Sequence, residues 1–169
     1  MKTLKTTLFF LILSFASFTV KAQDASLNIA FNKIIDNYLA LKDALATNEG
    51  NAAKAKAQNL LAALNSLPKQ AMNSDQYEFY AQYEPKLQFD SRHISEVNMV
   101  AHQREHFTSL SNNLYAVLKK LKVNKETLYR QYCKVEKRYF ITENEKAKDP
   151  YMGMTNCFKT IEILPAEQK

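Results

Sequence analysis

The residues best suited to chemistry in this chain are two cysteines and the two methionines between them. Cys133 and Cys157 are its only cysteines, and Met152 and Met154 lie in the segment that separates them. Two thiolates with a thioether form a soft ligand set, which favours a monovalent copper or silver ion. The same thiols could instead form a disulfide that closes a loop of about 25 residues and stabilises by roughly 3 kcal/mol in the chain-entropy model. Two free thiols are the third alternative, and spacing leaves all three open.

A second group of candidate ligands lies in the segment HQREH, residues 102–106. Two imidazoles four residues apart share one helix face, as a two-point metal clamp requires. Met99 falls on the same side, so Met99, His102 and His106 together could bind copper. The glutamate of this segment directly precedes the second histidine, so it is not placed as the general base of a zinc protease. A pair of ordinary surface histidines is the alternative, and His93 is given no role.

The sequence carries no recognisable enzyme signature. Gly-x-Ser-x-Gly, a phosphate-binding glycine loop and His-Glu-x-x-His are all absent. Nor does the chain offer a nucleophile with an identifiable base beside it. We therefore predict that the protein is not an enzyme.

The first 22 residues, MKTLKTTLFFLILSFASFTVKA, have the layout of a secretory signal peptide. Lys2 and Lys5 form a charged start, residues 8–20 an apolar run and residues 20–22 a cleavage site. The run is shorter than the about 20 apolar residues of a spanning helix. We predict cleavage after residue 22, no membrane span in the mature protein, and a periplasmic or secreted location in which a disulfide can form.

Charge and length narrow the function classes further. The formal net charge is +6, but half of it comes from Lys2, Lys5 and Lys21 in the leader. The remaining basic residues are mixed with acidic ones, which is typical of a solvated surface and argues against nucleic-acid binding. Residues 23–169 have a length that suits one domain.

Apolar residues recur at helical spacing through most of this domain, which predicts an antiparallel bundle of about four to five helices. Gly50 is predicted to end the first helix in the left-handed conformation. Pro85 should start or kink a helix. No glycine or proline interrupts the region after Ser91, so a single long helix is expected there. The predicted helices cover residues 27–45, 53–67, 75–84, 91–122 and 125–132.

Two segments near the C-terminus are rich in β-branched and aromatic residues, which favours strands. They run from Arg138 to Thr142 and from Phe158 to Ile163, and the loop between them contains Asp149-Pro150 and Gly153. We predict that they pair as a small antiparallel β-hairpin at about residues 134–164. Closure of this hairpin could bring the two cysteines together.

Three segments, AHQREHFTSLSNNLY, LYRQYC and DPYMG with a further cysteine, resemble an uncharacterised bacterial family, domain of unknown function 3347. The resemblance covers most of residues 23–169. The family's module is also found joined to periplasmic adaptors of heavy-metal efflux pumps. The resemblance therefore implies copper handling, with efflux adaptor components as partners, and the soft cysteine and methionine ligands favour Cu(I) as the ion.

The sequence departs from the family's pattern at both cysteines. Lys-Val follows Cys133 where the family tends to have Pro-Met, and Phe follows Cys157 where it has Gly. The first change removes a thioether beside a thiol. Met152 or Met154 could supply a thioether in its place.

Overall fold

Five α-helices and a small antiparallel sheet make up residues 25–167, which are the residues that the computed structural model describes. The predicted signal peptide lies outside them. Within residues 25–167, no helix has the length and apolar character needed to cross a membrane. The helices are α1 (25–46), α2 (Gly50–Asn65), α3 (Ser74–Ala81), α4 (Glu84–Glu96) and α5 (Val100–Leu121), with a short 3-10 helix at Lys69–Ala71.

The predicted apolar stripes form the core of the bundle. On α1 the residues spaced three and four apart are buried, and the same holds for α2, as the helical period requires. Helix α2 packs on α4, and α4 packs on α5. The prediction of a mainly helical bundle is confirmed. The buried stripes are Leu27, Phe31, Ile34, Tyr38, Leu41 and Leu45 on α1, and Ala53, Ala57, Leu60 and Leu64 on α2.

The turn between α1 and α2 differs from the prediction. Asn48 takes the left-handed conformation, with φ 61°, and Gly50 is already the first residue of α2. A side chain at Gly50 would place its Cβ 1.9 Å from the backbone oxygen of Asn98. Glycine is therefore needed at this position for close approach of two backbone segments, and asparagine supplies the left-handed residue.

The predicted single helix over residues 91–122 is wrong, because it is interrupted at Val97–Met99. Val97 and Met99 are both extended, and they separate α4 from α5. The amide nitrogen of the fully buried Gln103 lies 3.3 Å from the carbonyl of Ile94, 2.8 Å from that of Val97 and 3.0 Å from that of Gly50. The side chain thus satisfies carbonyls that the break would leave without partners.

The predicted helix over residues 125–132 is also wrong, because that segment carries the central strand of the sheet. The strands are β1 (Leu128–Cys133), β2 (Arg138–Thr142) and β3 (Phe158–Leu164), in the order β2-β1-β3. Both outer strands pair with β1 in antiparallel fashion and not with each other, so the predicted hairpin partners are corrected. A six-residue segment is too short to show its period, and pairing on both edges decides its conformation.

Tyr38 joins the bundle to the sheet. Its hydroxyl lies 2.8 Å from the Ser111 hydroxyl of α5 and accepts the amide of Ile141 in β2 at 3.0 Å. Its ring stacks on Phe107 with 5.1 Å between ring centroids. Burial raises the pKa of Tyr38 well above its usual range, so the phenol keeps its proton. These contacts fix the sheet against α1 and α5.

Candidate metal centre

The two cysteines lie side by side at one end of the sheet. Cys133 is the last residue of β1, Cys157 directly precedes β3, and the amide of Lys134 donates to the carbonyl of Cys157 at 2.8 Å. The two Sγ atoms are 2.8 Å apart. Both side chains are buried and both cysteines are free thiols. The cysteines were predicted to meet through closure of a hairpin between the last two strands; they do lie together, but because β3 pairs with β1.

Asp149 is the third group at this position, and its role was not predicted from the sequence. Its Oδ1 accepts the amides of Tyr151 and Met152, each at 2.9 Å. Its Oδ2 accepts the amide of Met154 at 3.0 Å and the thiol of Cys157 at 3.1 Å. Aspartate often binds the backbone just after it in this way, and the Asp-Pro pair in the loop is the sequence signal that could have identified it.

These three side chains form a compact donor set. The ligating atoms of Cys133, Asp149 and Cys157 lie within 4.8 Å of one another, and within residues 25–167 no other set of three His, Cys, Asp or Glu side chains does so. Burial raises the pKa of the Cys157 thiol well above its usual range, and the neighbouring Cys133 and the charge of Asp149 raise it further. The thiol is therefore protonated at neutral pH, and a metal ion must displace its proton.

The predicted methionine ligands lie on the loop around Asp149. The side chains of Met152 and Met154 are 38% and 41% exposed, whereas the sulfurs of the cysteines are covered. Their backbone amides, not their thioethers, are bound to the carboxylate. Gly153 between them has φ 69°, and a Cβ there would lie 2.6 Å from the carbonyl oxygen of Ala46. A glycine therefore lets this loop approach the end of α1.

Arg104 fastens the loop to the bundle, and this role was also missed from the sequence. Its Nε donates to the carbonyl of Pro150 at 2.7 Å, and its Nη2 donates to the carbonyl of Leu45 at 2.8 Å. Burial lowers the pKa of Arg104, and the negative charge of Asp149 opposes that change. The guanidinium is thus a nearby positive charge for the carboxylate.

The predicted histidine pair does share one face of α5. The rings of His102 and His106 are edge to face, with 4.9 Å between centroids. Met99 precedes the helix and is 64% exposed. His93 of α4, for which the sequence predicts no role, packs on His106 with 4.7 Å between ring centroids. Only the packing of α4 on α5 reveals that contact.

The fold and the site define a helical-bundle protein whose C-terminal sheet carries a buried pair of thiols beside a carboxylate. The chain belongs to the family described as protein of unknown function (DUF3347), which it matches over residues 34–126. This match begins within α1 and ends just before β1, so it includes the HQREH segment and neither cysteine. No curated protein and no solved structure matches the chain.

Proposed function

We propose that this protein is an exported, non-enzymatic module that binds one soft metal ion, Cu(I), through Cys133, Asp149 and Cys157. The observation that carries the proposal is the buried cluster of two thiols and a carboxylate with ligating atoms within 4.8 Å of one another. Thiolates are soft ligands that suit Cu(I), and two of them in an oxidisable, buried pair are the basis for naming this ion. Once both thiols have lost their protons, the two thiolates and the carboxylate are buried negative charges, and a bound cation would offset the cost of burying them.

The hydrogen bonds of Asp149 explain how the site would accept the ion. Its four lone-pair positions are filled by three backbone amides and the thiol of Cys157. Loss of the thiol proton removes the bond between Sγ and Oδ2, which frees one position on that oxygen. The other oxygen stays bound to two amides, so the carboxylate keeps its orientation while it becomes available as a ligand.

The test is competition for Cu(I) between a colorimetric chelator and reduced protein of residues 23–169. We expect one ion bound per chain, with binding lost in Cys133→Ser and Cys157→Ser and kept in the matched control Ser66→Ala, a hydroxyl distant in sequence from the site. Absence of binding at micromolar protein, or equal binding by the serine variants, would contradict the proposal. Circular dichroism of each variant checks that the helices are intact.

A second candidate is a structural role, in which the same cysteines form a disulfide. The contact of 2.8 Å between the two sulfurs favours it. The two thiols would lose two protons and two electrons to a thiol–disulfide oxidant of the export pathway. Protein recovered after export without reductant would then have no titratable thiol and a mass lower by two hydrogens. Two titratable thiols in that protein would exclude this role.

We also propose a periplasmic or secreted location, with heavy-metal efflux adaptor components as partners. The signal-like first 22 residues and the family resemblance support this proposal. Cell fractionation of the full chain, with a chain that begins at residue 23 as the control, tests the location. Recovery of both chains in the cytoplasm would contradict it.

A further inference from the structure

We propose that His93, His102 and His106 form a second metal site, for a borderline divalent cation such as Zn²⁺ or Cu²⁺, on the surface where α4 and α5 meet. His106 lies at the centre, with ring centroids 4.7 Å from His93 and 4.9 Å from His102. All three side chains are half-buried. Imidazole nitrogens suit Zn²⁺ and Cu²⁺, whereas the thiol pair suits Cu(I) and also Zn²⁺, so the two sites differ in their preference for Cu(I).

The hydrogen bond of His106 prepares its ring for metal binding. Its Nδ1 lies 3.1 Å from Oδ1 of Asp90, a carboxylate that is only 4% exposed. Within residues 25–167 this imidazole is the only side chain bound to that carboxylate. A carboxylate accepts and does not donate, so Nδ1 carries the proton and Nε2 of the neutral ring has a free lone pair. Histidine ligands of metals are commonly oriented in this way.

The other two rings have the same arrangement. Nδ1 of His93 lies 3.2 Å from the carbonyl oxygen of Phe89, and Nδ1 of His102 lies 3.2 Å from a carboxylate oxygen of Glu105. Both partners are acceptors, so both rings hold their proton on Nδ1 and leave Nε2 free. Within residues 25–167, none of the three Nε2 atoms has a hydrogen-bond partner. Three available nitrogens are the number that a catalytic or exchangeable zinc site uses.

The three histidines come together because the helix is interrupted between α4 and α5. The extended residues Val97 and Met99 return the chain on itself, which places His93 of α4 against His106 of α5. The histidines are less closely grouped than the cysteine cluster, because they do not form a set with all ligating atoms within 4.8 Å. Closure therefore requires one ring to turn, and His102, with a side chain 38% exposed, has room to do so.

The experiment is titration of the full chain with Zn²⁺ alone, which is redox-inert, in a background with Cys133→Ser and Cys157→Ser. We expect one ion bound per chain, with affinity at least about ten-fold lower in His93→Ala and His106→Ala. Asp90→Asn should lower it by about 10–100-fold, as for other residues that orient a ligand. The control Met99→Ala should bind as its parent does, because this residue precedes α5, is 64% exposed and carries no imidazole.

Binding by His93→Ala as tight as that of the parent protein would overturn the site, because it would reduce it to two histidines of α5. If the parent protein with Cys133→Ser and Cys157→Ser bound no Zn²⁺, that result would overturn the site as well. Should that parent fail to fold, the reduced wild-type chain serves in its place, with the ring ¹⁵N signals as the readout. Shifts of all three Nε2 signals on addition of Zn²⁺ support the site, and unchanged signals overturn it.

Discussion

Oδ2 of Asp149 accepts the thiol of Cys157 at 3.1 Å, across eight residues of chain. The same carboxylate accepts three backbone amides of the loop that begins at this residue. Loop conformation and the protonation of the thiol are therefore coupled through one side chain. Any ligand that removes the thiol proton acts on a carboxylate that already has a fixed orientation.

Removal of the Asp149 carboxylate should destabilise the fold, and two variants should do so to different extents. Asp149→Asn keeps one acceptor oxygen and Asp149→Ala keeps none, so the free energy of unfolding should fall by about 1–3 kcal/mol in the first and by more in the second. Urea unfolding followed by circular dichroism measures both. The exposed control Asp75→Ala should change stability by no more than about 0.5 kcal/mol. If the wild type and the three variants were equally stable, water would replace the carboxylate without cost.

Gln103 should be essential to the junction between α4 and α5. Gln103→Leu leaves carbonyls of Ile94, Val97 and Gly50 without their donor in a buried place, so we expect a loss of about 1–3 kcal/mol. The matched control is Gln82→Leu on the exposed end of α3, which should cost about 0.5 kcal/mol or less. Similar losses in the two variants, measured by urea unfolding, would contradict a specific role for the buried amide.

Gly50→Ala should destabilise the protein, although alanine normally favours a helix over glycine by up to about 1 kcal/mol. The new Cβ would lie 1.9 Å from the backbone oxygen of Asn98, so one of the two segments must move. We expect a cost of about 1–3 kcal/mol, as for other overpacked positions. Asn51→Ala, on the exposed next residue, is the control and should be nearly neutral. A rise in the melting temperature of Gly50→Ala would refute the close approach.

Stability should depend on acid through Glu143, whose carboxylate lies 3.1 Å from the buried ammonium of Lys42. Burial alone would raise the pKa of Glu143, but a backbone hydrogen bond and Lys42 outweigh it, and the pKa is lowered. A lowered pKa in the folded state stabilises above the unfolded value of about 4.3 and loses that contribution as pH falls through the folded value.

Glu143→Gln should therefore cost up to about 1 kcal/mol near neutral pH, the range for partly exposed pairs, and less in acid. Urea unfolding near pH 7 and near pH 3 measures the difference. Asp43→Asn is the control, because Asp43 binds the same ammonium at 3.0 Å but is 64% exposed. If Glu143→Gln lowered the free energy of unfolding equally at both pH values, the ion pair with Lys42 would not be the source of the acid dependence.

Part of the candidate site could be predicted from the sequence. The two cysteines and the pair of histidines are the right residue types, and a helix places His102 and His106 on one face by its period alone. Asp149 and His93 could not be assigned, because their roles depend on which loop and which helix lie beside them. The loop around Asp149 places its carboxylate beside the sulfurs. His93 reaches His106 because the helix is interrupted after α4, and no glycine or proline marks that interruption.

Local sequence patterns predicted the helical stripes of α1 and α2, the helix start at Pro85 and the strand character of residues 138–142 and 158–163. Those features depend on residues within a few positions of each other, so a local pattern contains them. Tertiary contacts determined the interruption of the helix after α4 and the strand conformation of residues 128–133. Gln103 bonds to a carbonyl 53 residues away, and β1 becomes the central strand because β3, which follows the loop around Asp149, pairs with its second edge. Contacts over such separations leave no period in the sequence, and they bring together the residues of both proposed metal sites.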